Sequence, residues 1–260
     1  MTNLTISYKE RADYCLSNLA RRLFKLLDDK KTNLALSIDV TSSDQLLTLA
    51  QQLGPEICVL KTHIDILDDY TKETSHELQK LAREHHFILF EDRKFADIGH
   101  TVKHQYQGGI YHIAEWADII NAHSLPGPFL IQGLAEIGRK KNRGLLLIAE
   151  MSSQGHLMTE DYMKNTLQMA EQFADFVIGF ITQHALSPDP HWINFTPGVK
   201  IGDGEDALGQ QYVSPEEAIC DRGSDVIIVG RGILTAKDPL AEAMKYRKAG
   251  YDAYLKRTGR

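Results

Sequence analysis

Short, mostly apolar runs recur along this chain with room for about one helix between most neighbours. They begin at Leu34 (LALSI), Ile57 (ICVL), Phe87 (FILF), Leu145 (LLLIA), Phe176 (FVIGFI) and Val226 (VIIV), with weaker ones at Ile119 and Trp192. The runs lack the polar alternation of a strand with one wet face, so both faces of each must be buried, which is the condition of a parallel sheet. Between them lie stretches of helical periodicity. Thr71 to His85 keeps Leu78, Leu81 and Ala82 on one stripe, and Leu157 to Phe173 reads the same way. Ser42 with Gln45 has the form of a capping box, as does Ser214-Pro215-Glu216-Glu217 with proline at the first helical position. Eight buried strands alternating with helices in 260 residues fit the α/β class as a closed parallel (β/α)8 TIM barrel, better than an open doubly wound sheet. Strands four and seven are the least marked.

No linker, charge block or change of composition divides the chain, which predicts one domain over 1–260 with residues 1–33 as a helical cover ahead of strand one. No apolar stretch approaches the roughly 18 residues of a membrane span, and the N-terminus lacks the shape of a signal peptide. Cys15, Cys58 and Cys220 are odd in number and far apart, so neither a disulfide framework nor a Cys-x-x-Cys site is indicated. A cytoplasmic protein is expected. The net charge of −6 argues against nucleic acid or an anionic membrane as partner. An anionic small molecule is still allowed, because only local charge matters to it.

Catalytic groups of a parallel barrel come from the C-terminal ends of its strands. Here strand one ends in Asp39, strand two in Lys61-Thr62-His63, and strand three in Asp92-Arg93-Lys94-Phe95-Ala96-Asp97. Strand five is followed by Glu150-Met151-Ser152-Ser153, strand seven by Thr196-Pro197-Gly198 and strand eight by Gly230-Arg231-Gly232. Asp92 and Lys94, two residues apart, share a side of the strand, and Asp97 would open the next helix, where a carboxylate is favoured. A solvated loop would also carry such charges. Gly230-Arg231-Gly232 suits phosphate, with glycines for close backbone approach and a guanidinium for bidentate binding. Taken alone, Gly-x-Gly is only a turn. The polar stretch Gly202 to Tyr212 is long enough to cover the same mouth, and it lacks the G-x-G-x-x-G spacing of a dinucleotide site. His100 and His104 have the spacing of two metal ligands without a third, so a surface or packing role is expected of them. His63 and Trp116 read as ordinary packing. With Lys61 and Lys94 beside the acids, a metal ion is unfavourable there.

The segment FEDRKFADIGHTVKHQY, together with LSIDV, LKTHID, AEMSSQG, TPGV, LGQQY and VGRG in this order, resembles the orotidine 5'-phosphate decarboxylase family of the fungal type, found also as the C-terminal half of the animal bifunctional UMP synthase. The likeness runs from about Ser7 to the final helix. It implies a homodimer of barrels that converts orotidine 5'-phosphate to UMP and CO2, the last step of UMP synthesis, with no metal and no organic cofactor. By the same resemblance Lys61, Asp92 and Lys94 form a charged network with Asp97 of the partner subunit, and Lys94 protonates C6. Asp39 and Lys61 meet the ribose hydroxyls, joined by Thr101 of the partner subunit. Ser152 reads the pyrimidine edge and Pro197 packs near the base. Gln210 bridges base and phosphate, while Tyr212 and Arg231 hold the phosphate beside Gly230 and Gly232. Whether a separate orotate phosphoribosyltransferase associates with the chain is left open.

Two alternatives belong beside this one. A phosphosugar decarboxylase of the same superfamily shares the DxKxxD element but uses magnesium, with an acid where strand two here supplies Lys61. A non-catalytic nucleotide-binding protein would keep the pocket, yet binding alone does not require Lys94 and both acids.

Overall fold

The computed structural model describes residues 5–202 and 209–260. The middle of the polar stretch expected over the mouth therefore lies outside the described residues. Eight parallel strands close into a barrel in sequence order, with β1 pairing to both β2 and β8. They are β1 (Leu34–Ile38), β2 (Val59–Thr62), β3 (Ile88–Phe95), β4 (Ile119–His123), β5 (Gly144–Ile148), β6 (Val177–Ile181), β7 (Ile193–Thr196) and β8 (Val226–Val229). The expected architecture is the observed one, the weakly marked β4 and β7 included. Every residue of β1, β2, β5, β6, β7 and β8 is buried, as a sheet covered on both faces demands.

Helices α1 (Tyr8–Tyr14) and α2 (Asn18–Lys30) precede the barrel, and α3 (Ser43–Leu53), α4 (Lys72–Glu84), α5 (Gly99–Gln107), α6 (Ile113–Trp116), α7 (Pro128–Gly138) and α8 (Glu160–Glu171) follow strands one to five. Strand β8 leads into α9 (Arg231–Leu234) and the long α10 (Pro239–Thr258). No helix among the described residues is long and apolar enough to cross a membrane.

Several boundaries differ from the sequence pattern. Helix α8 begins at Glu160, because Thr159 accepts a hydrogen bond from the Tyr162 amide (3.2 Å) and leaves Leu157 outside, 95% exposed. Ser42 makes no side-chain cap; the start of α3 is held by Asp69, whose Oδ1 accepts from the Ser43 amide at 2.7 Å. Ser214 does cap, accepting from the Glu217 amide at 3.1 Å, but the turn it opens widens into a π-helical segment, Glu217–Asp221. The largest difference is β3, which continues through the charged motif. Its register to β4 runs Phe90↔Ile119 and Glu91↔Ile120, then resumes only at Phe95↔Ala122. Residues 92–94 thus form a bulge, and Lys94 takes a left-handed φ of 51°.

The floor of the barrel is fastened by a buried charge cluster. Asp225, just before β8, binds the Arg11 guanidinium through both oxygens and Arg257 of α10 at 3.2 Å. Arg11 also donates to the Pro190 and Trp192 carbonyls at 2.8 and 2.6 Å, and Tyr8 donates to the Asp225 carbonyl at 2.9 Å. Burial alone would raise the pKa of the Asp225 carboxyl, but the two guanidiniums outweigh it and hold it below the ordinary carboxylate range. The first helix, strands β7 and β8 and the last helix are locked together, and a buried ion pair broken on one side typically costs about 3–5 kcal/mol.

Candidate active site

At the opposite end of the barrel the strands' C-terminal ends surround a cavity of about 680 Å³. Above the edge-to-face pair Phe90 and Phe195, at 6.1 Å, the inward positions of the strands change from apolar to charged. Lys61 of β2 is almost wholly buried, and its ammonium donates to Asp92 Oδ2 at 2.8 Å while lying 3.8 Å from Asp39 Oδ1. Lys94 donates to the other Asp92 oxygen at 2.7 Å. Burial alone would raise the pKa of Asp92, but Lys61 first and then Lys94 outweigh it and hold it far below the usual carboxylate range. Asp92 is therefore a fixed negative charge between two ammoniums.

Asn121 of β4, which sequence reasoning missed, joins both parts of the bulge. Its Nδ2 donates to Asp92 Oδ1 at 2.6 Å and its Oδ1 accepts from the Lys94 amide at 2.7 Å. One side chain thereby fixes the carboxylate and the left-handed backbone from which the Lys94 side chain departs. The only sequence signal was a polar residue amid the apolar run IINAH. His63 was read as packing, and the structure corrects this: its Nε2 lies 2.8 Å from Lys61 Nζ and 3.3 Å from Asp92 Oδ2. Burial first, then Lys61, lowers the imidazole's pKa, so a neutral ring accepts from the ammonium. Ser37 donates to Asp39 Oδ1 at 2.8 Å.

Behind the network, Glu91 faces away from the cavity and is fully buried. It accepts from Thr62 Oγ1 at 2.7 Å and from the Ile64 amide at 3.1 Å, tying the turn that carries His63 to β3. Burial pushes its pKa up to about 8, its two neutral hydrogen-bond donors notwithstanding.

The rim on the far side is built from two paired segments. Ser153 and Gln210 form an antiparallel bridge, the Gln211 amide donates to the Ser152 carbonyl at 3.1 Å, and Ser152 Oγ donates to Gln210 Oε1 at 3.2 Å. Gly198, with φ 76°, lies so close that a Cβ there would fall 2.4 Å from both Gln210 Nε2 and Gln211 O. Arg231 donates to the Tyr212 hydroxyl at 3.2 Å, and Lys200 lies over the Tyr212 ring at 5.2 Å. Gly232 is small for a packing reason as well, since a Cβ would meet the Tyr246 hydroxyl at 2.6 Å.

Of the residues singled out in the sequence, Asp39, Lys61, Asp92, Lys94, Ser152, Pro197, Gln210, Tyr212, Gly230, Arg231 and Gly232 all line the cavity. Asp97 and Thr101 do not line it. Asp97 is exposed and bonds the Ile98 amide at 2.7 Å, one residue ahead of the cap of α5, so it does not open that helix. His100 and His104 are exposed and stack on each other with ring centres 4.7 Å apart. Among the described residues no group of three or more His, Cys, Asp or Glu side chains is arranged to hold a metal ion.

Fold and site together define a (β/α)8 barrel with a charged, ligand-sized mouth at the strand C-terminal ends. The chain belongs to the orotidine 5'-phosphate decarboxylase / HUMPS family, whose model matches residues 32–246. It is 50% identical over 260 residues to orotidine 5'-phosphate decarboxylase of Phycomyces blakesleeanus, covering 99% of this chain and 97% of that one. It is 52% identical over 263 residues to that of Eremothecium gossypii, covering 98% of each. Uridine 5'-monophosphate synthase of Bos taurus is 52% identical over 239 residues, 92% of this chain and 50% of that one. Among solved structures, orotidine 5'-monophosphate decarboxylase of Methanocaldococcus jannaschii shares the fold with a TM-score of 0.66 at 20% identity, covering 84% of this chain and 98% of that one.

Proposed function

We propose that this chain decarboxylates orotidine 5'-phosphate to UMP and CO2, and the observation that carries the proposal is Asp92 fixed between two ammoniums. Breaking the C6–carboxylate bond leaves an electron pair on a ring carbon with no adjacent carbonyl to absorb it. A site for this reaction must stabilise that carbanion by charge and protonate it at once. Lys94 does both: its ammonium faces the developing charge, then gives a proton to C6 and is reprotonated from solvent. Asp92 keeps Lys94 charged and, close to the departing carboxylate, favours its loss as neutral CO2. Asp39 and Lys61 take the ribose hydroxyls, Ser152 the pyrimidine edge, and Pro197 packs beside the base. Gln210 spans base to phosphate, which Tyr212, Arg231 and the backbone of Gly230 and Gly232 hold. Binding energy from that distant phosphate then holds the reacting end in place.

The proposal includes a homodimer in a cytoplasmic setting, each mouth completed by Asp97 and Thr101 of the partner subunit. Supporting this, both residues stand outside their own cavity. Ile98 and Phe129 beside them are 65% and 74% exposed, brought together because Gly99 packs directly against the Phe129 carbonyl. No metal enters the proposed reaction: an ion at Asp92 would have to displace ammoniums already 2.7 and 2.8 Å away. The test is loss of the orotate chromophore on mixing pure protein with orotidine 5'-phosphate, with and without excess chelator. Equal rates are expected; no turnover, or a rate that needs magnesium, would refute the proposal.

A further inference from the structure

At the floor of the barrel, far from the mouth, three helices end around one ammonium. Lys30 is the last residue of α2, and its Nζ lies 2.7 Å from the carbonyl oxygens of Ile57 and His85 and 3.0 Å from those of Gly54 and His86. Gly54 is the C-cap of α3 and His85 that of α4, while His86, at φ 53°, turns the chain back toward β3. Carbonyls at helix C-termini have no partner within the helix and carry the negative end of its dipole. Three N–H bonds leave one of the four oxygens without a donor of its own, whereas a spherical ion serves all four equally. Burial lowers the pKa of the Lys30 amine to about 8, as befits a partly desolvated ammonium that is still charged at pH 7. The neighbouring charges cancel one another, Arg247 pairing with Glu56 at 2.8 Å. Neutral carbonyl oxygens that replace a hydration shell are the surroundings that hold potassium in channel filters.

We propose that the carbonyls of Gly54, Ile57, His85 and His86 form a monovalent-cation site, filled in this chain by the tethered ammonium of Lys30 and open to potassium or free ammonium once the tether is removed. The site ties α2 to the entries of β2 and β3, the two strands that deliver Lys61, Asp92 and Lys94 at the other end. It stands independently of the proposed activity.

The test uses the full chain with Lys30→Ala, which empties the cage, and Lys30→Met, which fills it without charge. At pH 6.5, in about 0.2 M lithium or tetramethylammonium chloride, Lys30→Ala should melt about 5–10 °C below the parent, as expected when a charged donor to several carbonyls is lost. At least half of that loss should return in potassium or ammonium chloride of equal strength, and Lys30→Met should not respond. Equal melting of Lys30→Ala in all four salts, or equal recovery by Lys30→Met, would overturn the proposal. If Lys30→Ala folds in none of the salts, nitrogen-15 NMR of the unsubstituted protein decides. A slowly exchanging Lys30 ammonium signal supports the cage and rapid exchange refutes it.

Discussion

Replacing Asn121 by alanine removes two hydrogen bonds at once: 2.6 Å to Asp92 and 2.7 Å from the Lys94 amide. A bond to a charged carboxylate contributes about 1.5–3 kcal/mol, and leaving the part-buried Lys94 amide without its acceptor costs up to about 1–3 kcal/mol. Asp92 keeps both ammoniums, so the charge balance survives and the loss falls on aim: Lys94 leaves a left-handed backbone that Asn121 bridges to β4. If about 2–3 kcal/mol of that loss is felt in the transition state, kcat falls roughly 30- to 160-fold. KM should change little, because the phosphate end is untouched. Asn121→Asp keeps the acceptor for the Lys94 amide but sets a second carboxylate against Asp92. When protonated, that acid donates as the amide did; when ionised, it repels. Activity of Asn121→Asp, measured by the orotate chromophore, should therefore rise relative to the parent as pH falls toward about 5, and Asn121→Ala should show no such trend. A kcat for Asn121→Ala within about threefold of the parent would show that the bulge holds Lys94 unaided.

Lys94→Ala should abolish turnover while UMP, measured by calorimetry, binds nearly as before, and heterodimers of Lys94→Ala with Asp97→Ala should regain part of the lost activity. Persistent turnover would reassign the proton donor, and inactive heterodimers would mean self-contained sites. Because the folded-state pKa of Glu91 is raised to about 8, its contribution to stability is complete below about pH 4 and is lost as pH rises through about 8. Denaturation midpoints of Glu91→Gln should decline less than the parent's between about pH 5 and 9, and parallel curves would count against a proton held on Glu91. Arg11→Met strips Asp225 of its closer guanidinium and should cost about 3–5 kcal/mol, a drop in Tm of roughly 6–20 °C; a loss under about 1 kcal/mol would show that Arg257 suffices.

The barrel was legible because burial on both faces writes itself as unbroken apolar runs, clearest at LALSI and VIIV. Runs at Ile57 and Phe87 marked their strands one or two residues early, since apolar character begins before the ladder does. The reach of β3 into EDRKF was hidden: no propensity predicts a strand from four charges in five residues, and the bulge exists because Asn121 and Asp92 pair across 29 positions of sequence. The floor cluster was hidden for the same reason, Arg11 and Asp225 being 214 residues apart. His63 looked like packing because an imidazole beside a lysine becomes informative only when Asp92 arrives from another strand. Conversely, the residues after β7 and β8 were readable, since a closed parallel barrel leaves them one place to go.

Residues 92–94 have no partner in the register to β4, and the pairing with β2 stops at Glu91. The reacting groups thus ride on backbone that the sheet does not need. Exchanging side chains there should leave the barrel's own cooperativity intact, so inactive variants can be well-folded proteins. The same slack would let a lineage rewrite its chemistry on β3 while inheriting an unchanged scaffold.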